Sequence, residues 1–184
     1  MITVDPDKTT LVVIDVQNGF VTDNSRPVVP VIADLVDRWK AAGKPVVFTR
    51  YLNHPDSMFH TLMHWTKLTD PPETDIVDEL QDAAKRSIIT DKDGYTFFND
   101  EGRALVKDKG WTDLVFCGID TESCVLKSAV DAFEASIRPW ILTDASASHA
   151  DQAGHDAGLL VARRFIGPAQ LITTGEIAGQ LRVA

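Results

Sequence analysis

Short apolar runs alternate along this chain with longer stretches whose apolar residues follow a helical period. The runs are nearly continuous and rich in β-branched residues, as at residues 11–14 (LVVI), which is typical of strands buried on both faces. In the first longer stretch Val28, Ile32 and Leu35 recur every three or four residues, which predicts an amphipathic helix. The pattern predicts strands at residues 10–16, 45–51, 86–90, 113–118, 139–143 and 169–173, and helices at residues 27–42, 74–85, 99–109, 121–136 and 153–165, with a short helix closing the chain.

The alternation of strands and helices predicts an α/β fold with one parallel sheet. Strands that are separated by helices are joined by crossover connections, which are right-handed almost without exception. The result is a three-layer, doubly wound single domain over residues 1–184, with helices on both faces of the sheet. For six strands we adopt the common order 3-2-1-4-5-6, in which a crevice opens between strands 1 and 4 at their carboxyl ends.

Two reactive side chains are predicted to reach this crevice. Asp15 interrupts the first apolar run, where a carboxylate is costly to bury unless it is paired; a solvated aspartate at the strand end is an equal alternative. Cys124 lies just past strand 4, in the first turn of the next helix, where the helix dipole favours a thiolate and free N–H groups can hold an oxyanion. Taken alone, a cysteine is more often a small buried hydrophobe, which suits Cys117 in the run DLVFCG.

Lys92 is a candidate cationic partner that is predicted to follow strand 3 directly. In the adopted order, strand 3 lies two strand spacings, about 10 Å, from strand 1. Lys92 therefore reaches the crevice only if its loop leans across strand 2. Because Asp91 and Asp93 flank it, a solvated surface lysine is the default interpretation.

Composition and charge restrict the partners and the compartment. The 184 residues carry a formal net charge of -9, and such an acidic surface disfavours nucleic acids and anionic membranes as partners. No apolar run approaches the roughly 20 residues that cross a bilayer, and residues 1–10 lack the character of a secretory signal. The two cysteines argue against a disulfide framework. We therefore expect a cytoplasmic protein.

Three segments together resemble the motifs of the isochorismatase-like hydrolases, a family that includes nicotinamidases and N-carbamoylsarcosine amidases. They are residues 13–20 (VIDVQNGF), 92–98 (KDGYTFF) and 118–125 (GIDTESCV), and they occur in the family's order. The resemblance implies the six-stranded parallel fold, a catalytic triad of Asp15, Lys92 and Cys124, and a homo-oligomer, either a dimer or a tetramer.

The resemblance also implies a cis peptide bond between Ile119 and Asp120. Its suggested role is to turn the backbone N–H of Asp120 toward the same point as that of Cys124, so that the two form an oxyanion hole. The implied reaction is attack of the thiolate on a substrate carbonyl, followed by hydrolysis of a thioester, and no cofactor is predicted.

The segment after strand 2 departs from the family pattern. Nicotinamidases carry a metal site there in an Asp-x-His-Pro pattern, whereas residues 52–55 of this chain read LNHP, in which a leucine that cannot ligate a metal replaces the aspartate. His60 and His64 have a spacing that suits zinc on one helical face, but solvated or packed histidines are the more common interpretation. No metal is therefore predicted, and nicotinamide is in doubt as the substrate.

Aromatic residues near these motifs predict the walls of a substrate pocket. The residues proposed for it are Phe20, Tyr51, His54, Trp65 and Tyr95. Aromatic side chains at these positions suit an ordinary core or a subunit contact almost as well.

The sequence thus predicts a cysteine hydrolase that cleaves a C–N bond in a small amide or carbamoyl compound. Two alternatives stay open. One is an isochorismate-type vinyl-ether hydrolase, although family members with that activity generally lack the cysteine. The other is a catalytically silent binding protein on the same fold.

Overall fold

The computed structural model describes residues 4–178, which form a six-stranded parallel sheet with helices around it. The strand order is β3-β2-β1-β4-β5-β6, which confirms the predicted topology. The strands are β1 (Thr9–Ile14), β2 (Val46–Tyr51), β3 (Ile88–Lys92), β4 (Asp113–Ile119), β5 (Arg138–Ala147) and β6 (Leu171–Ile172). The helices are α1 (Val29–Ala41), α2 (Met58–Thr61), α3 (Asp78–Lys85), α4 (Asp100–Lys109), α5 (Leu126–Glu134), α6 (Gln152–Phe165) and α7 (Thr174–Ala178). None of the helices described is both long enough and apolar enough to span a membrane.

Successive residues of β1 contribute to two cores on opposite faces of the sheet. Leu11 belongs to the core that also contains Trp39 of α1, whereas Val12 belongs to the core that also contains Ala129 of α5. All six residues of β1 are buried. This two-sided burial is the physical reason that the strand reads as a continuous apolar run.

Several element boundaries differ from the predicted ones, and the following three concern the carboxyl edge of the sheet. Helix α3 begins at Asp78 rather than at residue 74, because the backbone N–H groups of Asn18 and Gly19 bind carbonyls in the preceding segment. The helix predicted over residues 121–136 begins instead as a π-helical turn, Thr121–Val125, before α5. Strand β5 continues to Ala147, beyond the predicted end at residue 143.

Gly118 allows β4 to lie close to β1 beside the predicted crevice. Its φ of 118° lies in the region that favours glycine, and a Cβ there would be 2.1 Å from the carbonyl oxygen of Ile14. We expect Gly118→Ala to lower the free energy of unfolding by roughly 3 kcal/mol or more, because both the strain and the clash must be relieved. Urea denaturation measures this change.

Gly175→Ala is the matched control for that substitution. The nearest atom to an added Cβ there is Thr173 Oγ1 at 3.9 Å, which is ordinary contact. The control should change the free energy of unfolding by no more than about 1 kcal/mol. Equal free energies for the two variants would contradict the role given to Gly118.

Candidate active site

The structure brings Asp15, Lys92 and Cys124 together at the carboxyl edge of the sheet. Asp15 directly follows β1, Lys92 is the last residue of β3, and Cys124 lies in the π-helical turn after β4, which we call the Cys124 turn (Thr121–Val125). Lys92 Nζ lies 2.6 Å from Asp15 Oδ2 and 3.5 Å from Cys124 Sγ. Side chains from three separate segments therefore meet at one point.

Lys92 reaches this point by the length of its side chain rather than by a leaning loop. It pairs in register with Tyr51 of β2, and its Nζ lies 5.4 Å from the centroid of the Tyr51 ring. The side chain thus passes over β2 toward Asp15. The expectation that Lys92 follows the strand in a loop is wrong, since β3 extends to include it.

Both members of the ion pair are removed from solvent. The side chain of Lys92 is 2% exposed and that of Asp15 is 0% exposed. Asp15 Oδ1 accepts a hydrogen bond from Thr49 Oγ1 at 2.6 Å, and Lys92 Nζ donates one to the carbonyl of Gly94 at 2.9 Å. A buried ion pair persists when such hydrogen bonds support it. The alternatives of a solvated aspartate and a solvated lysine are therefore excluded.

Thr49 is a site residue that the sequence analysis missed. Its hydroxyl also accepts a hydrogen bond from the backbone N–H of Asp15 at 3.1 Å. Thr49 therefore binds both the backbone and the side-chain carboxylate of Asp15. The sequence does contain one sign of this role: Thr49 is a polar residue within the apolar run of β2. It lies beside the end of β1, where Asp15 interrupts the apolar run of that strand.

The electrostatic balance favours a neutral thiol beside an ammonium–carboxylate pair. Burial lowers the pKa of Lys92, but Asp15 and Cys124 together outweigh it, and the net pKa is raised. Burial raises the pKa of the Cys124 thiol; Lys92 opposes that change, while Asp15 adds to it through its charge and a hydrogen bond. Burial and the neighbouring carboxylate therefore act against the thiolate that a helix N-terminus favours, and Lys92 acts for it.

Helix α6 packs against the Cys124 turn and holds it in place. Gly158 of α6 packs so closely that a Cβ there would lie 2.7 Å from the Cα of Glu122, and His155 Nδ1 lies 2.8 Å from Thr121 Oγ1. The peptide bond between Ile119 and Asp120 is cis, as the resemblance implied. The oxyanion-binding role of the Asp120 and Cys124 N–H groups stays a prediction.

A cavity of about 250 Å³ opens beside the sulfur of Cys124. Four of the five residues predicted for the pocket line it, namely Phe20, Tyr51, Trp65 and Tyr95. The remaining lining residues are Phe59, Met63, Asp120, Ser123, Cys124 and His149. The cavity therefore has mainly aromatic walls with a small polar region near the sulfur.

His54 does not line this cavity, which corrects the prediction made for it. Its side chain is exposed, whereas that of the preceding residue, Asn53, is buried. Asn53 accepts a hydrogen bond from the Tyr51 hydroxyl and donates to the carbonyls of Trp65 and Lys67. These bonds hold Asn53 on the inside of the loop, so the next side chain faces solvent.

The histidines after β2 do not form the possible zinc spacing. Helix α2 ends at Thr61, so His60 lies on it and His64 lies beyond it with a positive φ of 54°. The two residues therefore share no helical face. Within residues 4–178 no cluster of three or more histidine, cysteine or acidic side chains is arranged to hold a metal ion.

His149 is a second residue that the sequence analysis missed. Its Nδ1 lies 2.6 Å from Asp120 Oδ2, and its ring centroid lies 5.9 Å from that of Phe20. Strand β5 was predicted to end at residue 143, but it continues and pairs Ala147 with Ile119 of β4. That extension carries His149 to the cavity, and local periodicity gave no sign of it.

Comparison with known proteins identifies the class of protein that this fold and site define. The family model described as Isochorismatase domain matches residues 9–175, so the chain belongs to the isochorismatase family. Among solved structures, an isochorismatase-like hydrolase from Alkaliphilus metalliredigens has a TM-score of 0.82 at 19% identity and covers 95% of this chain and 100% of its own, which shows the shared fold.

Two relatives carry the names of amide-cleaving enzymes. Nicotinamidase 3 of Arabidopsis thaliana is 27% identical over 157 residues, covering 82% of this chain and 78% of its own length. Ureidoacrylate amidohydrolase RutB of Serratia proteamaculans (strain 568) is 28% identical over 196 residues, covering 88% of this chain and 79% of its own. The chain is thus an isochorismatase-family hydrolase.

Proposed function

We propose that this hydrolase cleaves the C–N bond of a small amide or carbamoyl compound, with Cys124 as nucleophile. The observation that supports the proposal is the position of the Cys124 sulfur, which lines a cavity and lies 3.5 Å from the Lys92 ammonium. A nucleophile, a carboxylate base and a cation in direct contact are the components of thiol-based acyl transfer.

In the first step the thiol loses its proton as the sulfur attacks the substrate carbonyl. Asp15 accepts that proton, and Lys92 stabilises the negative charge on the sulfur and the carboxylate. A C–S bond forms and the carbonyl becomes a tetrahedral oxyanion. The backbone N–H groups of Asp120 and Cys124 bind this oxyanion, and losing one such donor typically costs about 10²- to 10³-fold in rate.

In the second step the tetrahedral adduct collapses and water completes the reaction. Protonated Asp15 donates its proton to the leaving nitrogen, the C–N bond breaks, and ammonia or an amine departs. Asp15 then removes a proton from water, which attacks the thioester carbonyl. The acyl product leaves as a carboxylic acid, and the thiol regains its proton. One amide and one water are consumed.

The amide reaction is favoured over the two alternatives by the thiol itself. Vinyl-ether hydrolysis needs protonation of a carbon rather than a sulfur nucleophile. A silent binding protein needs neither the buried Asp15–Lys92 ion pair nor a sulfur facing its cavity. The names of relatives do not decide between the two reactions, because a protein named probable isochorismatase, from Pseudomonas chlororaphis, is also 28% identical over 185 residues.

A screen for ammonia release tests the proposal. We expect the purified protein to release ammonia from at least one member of a panel of small primary amides and carbamoyl compounds, and Cys124→Ser to release none. Isochorismate belongs in the same panel. Hydrolysis of isochorismate alone, at equal rates in both proteins, would contradict the proposal and support the vinyl-ether reaction.

Thiol labelling separates an active nucleophile from a silent scaffold. Iodoacetamide near neutral pH should alkylate Cys124 and leave Cys117 unmodified, because Cys117 is 0% exposed within the core. Mass spectrometry of tryptic peptides locates the label. An unlabelled Cys124 would support the silent scaffold.

A further inference from the structure

The cavity beside Cys124 has two chemically different walls. One wall is a continuous set of ring contacts, in which Phe20 stacks on Trp65 at 5.7 Å and Tyr95 meets Phe59 edge-on at 4.8 Å. The other wall, which we call the polar wall, consists of Asp120, Ser123 and His149. A ligand that fits both walls carries an apolar body on one side and a polar group on the other.

The position of His149 on the polar wall is fixed by contacts from several segments. Asp120 accepts hydrogen bonds from its backbone N–H at 2.7 Å and pairs with its ring at 2.6 Å. Thr22, in the loop after β1, donates to its carbonyl at 2.7 Å. The preceding residue, Ser148, donates to Glu122 of the Cys124 turn at 2.5 Å. The ring is therefore held in place and is not a freely moving surface histidine.

The polar wall leaves one nitrogen available to a ligand. Both oxygens of Asp120 bind His149, and Nδ1 of His149 is used in that contact. Nε2 has no hydrogen-bond partner within residues 4–178, and the side chain is 40% exposed where it lines the cavity. The hydroxyl of Ser123, on the same wall, is a second available donor.

The charges around His149 favour its protonated form. The hydrogen bond with Asp120 raises the pKa of His149 above that of an ordinary histidine, although partial burial opposes it. The charges of Asp120 and Glu122 raise that pKa further, while the charge of Lys67 lowers it. When His149 is protonated, its charge offsets that of the Asp120 carboxylate, and its Nε2–H is then a charge-assisted donor with no acceptor among residues 4–178.

We propose that His149 is a specificity-determining residue whose Nε2–H binds a carboxylate on the substrate, so that the preferred substrates are small acidic amides. The scissile carbonyl lies at Cys124, an apolar body lies against the aromatic wall, and the carboxylate lies at the polar wall. This inference rests on the proposed function and deepens it by naming the substrate class.

Two alkylating probes of matched shape test the inference without knowledge of the natural substrate. N-iodoacetylglycine carries a carboxylate, and N-iodoacetylglycinamide carries a neutral amide in its place. In each case the sulfur displaces iodide, a C–S bond replaces the C–I bond, and the thiol proton is lost. For each protein, the rate of Cys124 alkylation by the carboxylate probe is divided by the rate with the neutral probe. This ratio is then divided by the corresponding ratio for 2-mercaptoethanol, and the measurement is repeated from pH 6 to 9.

Near neutral pH we expect this ratio to be about tenfold higher in the wild-type protein than in His149→Gln. The preference is present while His149 is protonated and is lost as the pH rises through its raised pKa. Ionisation of the thiol affects both probes equally and cancels in the ratio. His149→Arg should keep the preference across the whole range, because its cation does not titrate there.

The controls distinguish this inference from the proposed function. His54→Gln, outside the cavity, is the matched control and should show the same ratio as the wild-type protein at every pH. Suppose that Cys124 is labelled and that the ratio is the same in the wild-type protein and in His149→Gln at every pH. That result would overturn this inference and leave the proposed function standing. Failure of both probes to label Cys124 in the wild-type protein would overturn the proposed function and this inference with it.

Discussion

Cys124→Ala is expected to lower the turnover of any amide substrate by roughly 10⁴-fold or more, because no other group supplies the nucleophile. Folding should be retained. The exchange removes one sulfur atom at the edge of a cavity, so the free energy of unfolding should change by about 1 kcal/mol or less. Steady-state ammonia release and urea denaturation measure the two quantities.

Cys117→Ala is the matched control, since both cysteines are buried and only Cys124 lines the cavity. Cys117 is 0% exposed in the core, and its burial raises the pKa of its thiol. This variant should keep its activity and lose about 1–2 kcal/mol of stability through the cavity it leaves. If Cys124→Ala turns over as fast as Cys117→Ala does, Cys124 is not the nucleophile.

Asp15→Asn is expected to combine a large loss of activity with a large loss of stability. Turnover should fall by about 10³-fold or more, because the base that accepts the thiol proton is gone. The Lys92 ammonium would then be buried without its counter-charge, and breaking one side of such a pair costs about 3–5 kcal/mol. Ammonia release and urea denaturation again provide the readouts.

The double variant Asp15→Asn with Lys92→Met separates these two effects. It removes both buried charges, so it should recover most of the stability that Asp15→Asn loses, while its turnover stays as low. A double variant that is no more stable than Asp15→Asn would show that the ion pair is not the source of the loss. Normal turnover in Asp15→Asn would remove the carboxylate from the mechanism.

The sheet order and the meeting of Asp15 and Cys124 could be predicted from the residues. Apolar runs and helical periods alternate regularly, and right-handed crossovers leave few topologies for such a pattern. The reversal of winding then places the ends of β1 and β4 side by side, which the register from Thr9–Asp113 to Ile14–Gly118 confirms.

The role of Lys92 depended on the resemblance and not on the physical pattern. A lysine between Asp91 and Asp93 has the local signature of a solvated residue. Its burial results from the inclusion of Lys92 in β3 and from a side chain that crosses β2 above Tyr51. Strand register and side-chain direction are not encoded in the few residues around it.

The residues around the cavity also fall into two groups, those that the sequence predicted and those that only the tertiary structure revealed. Phe20, Tyr51, Trp65 and Tyr95 line the cavity because they lie at or after the carboxyl ends of β1, β2 and β3, at the same edge of the sheet. His54 faces solvent because Asn53 takes the inside of its loop. His149 reaches the cavity through the extension of β5.

The sequence by itself determined the fold class. It made the common strand order the expected one, and with it the edge of the sheet that carries the chemistry, and the family resemblance identified the three residues of the triad. Only the tertiary structure decided that Lys92 joins Asp15 in a buried ion pair and that Thr49 orients that pair. It also decided that His149, and not His54, is the imidazole that lines the cavity. The reason is physical. Periodicity reports which face of an element is buried, whereas contacts across three strands depend on register, strand length and side-chain reach.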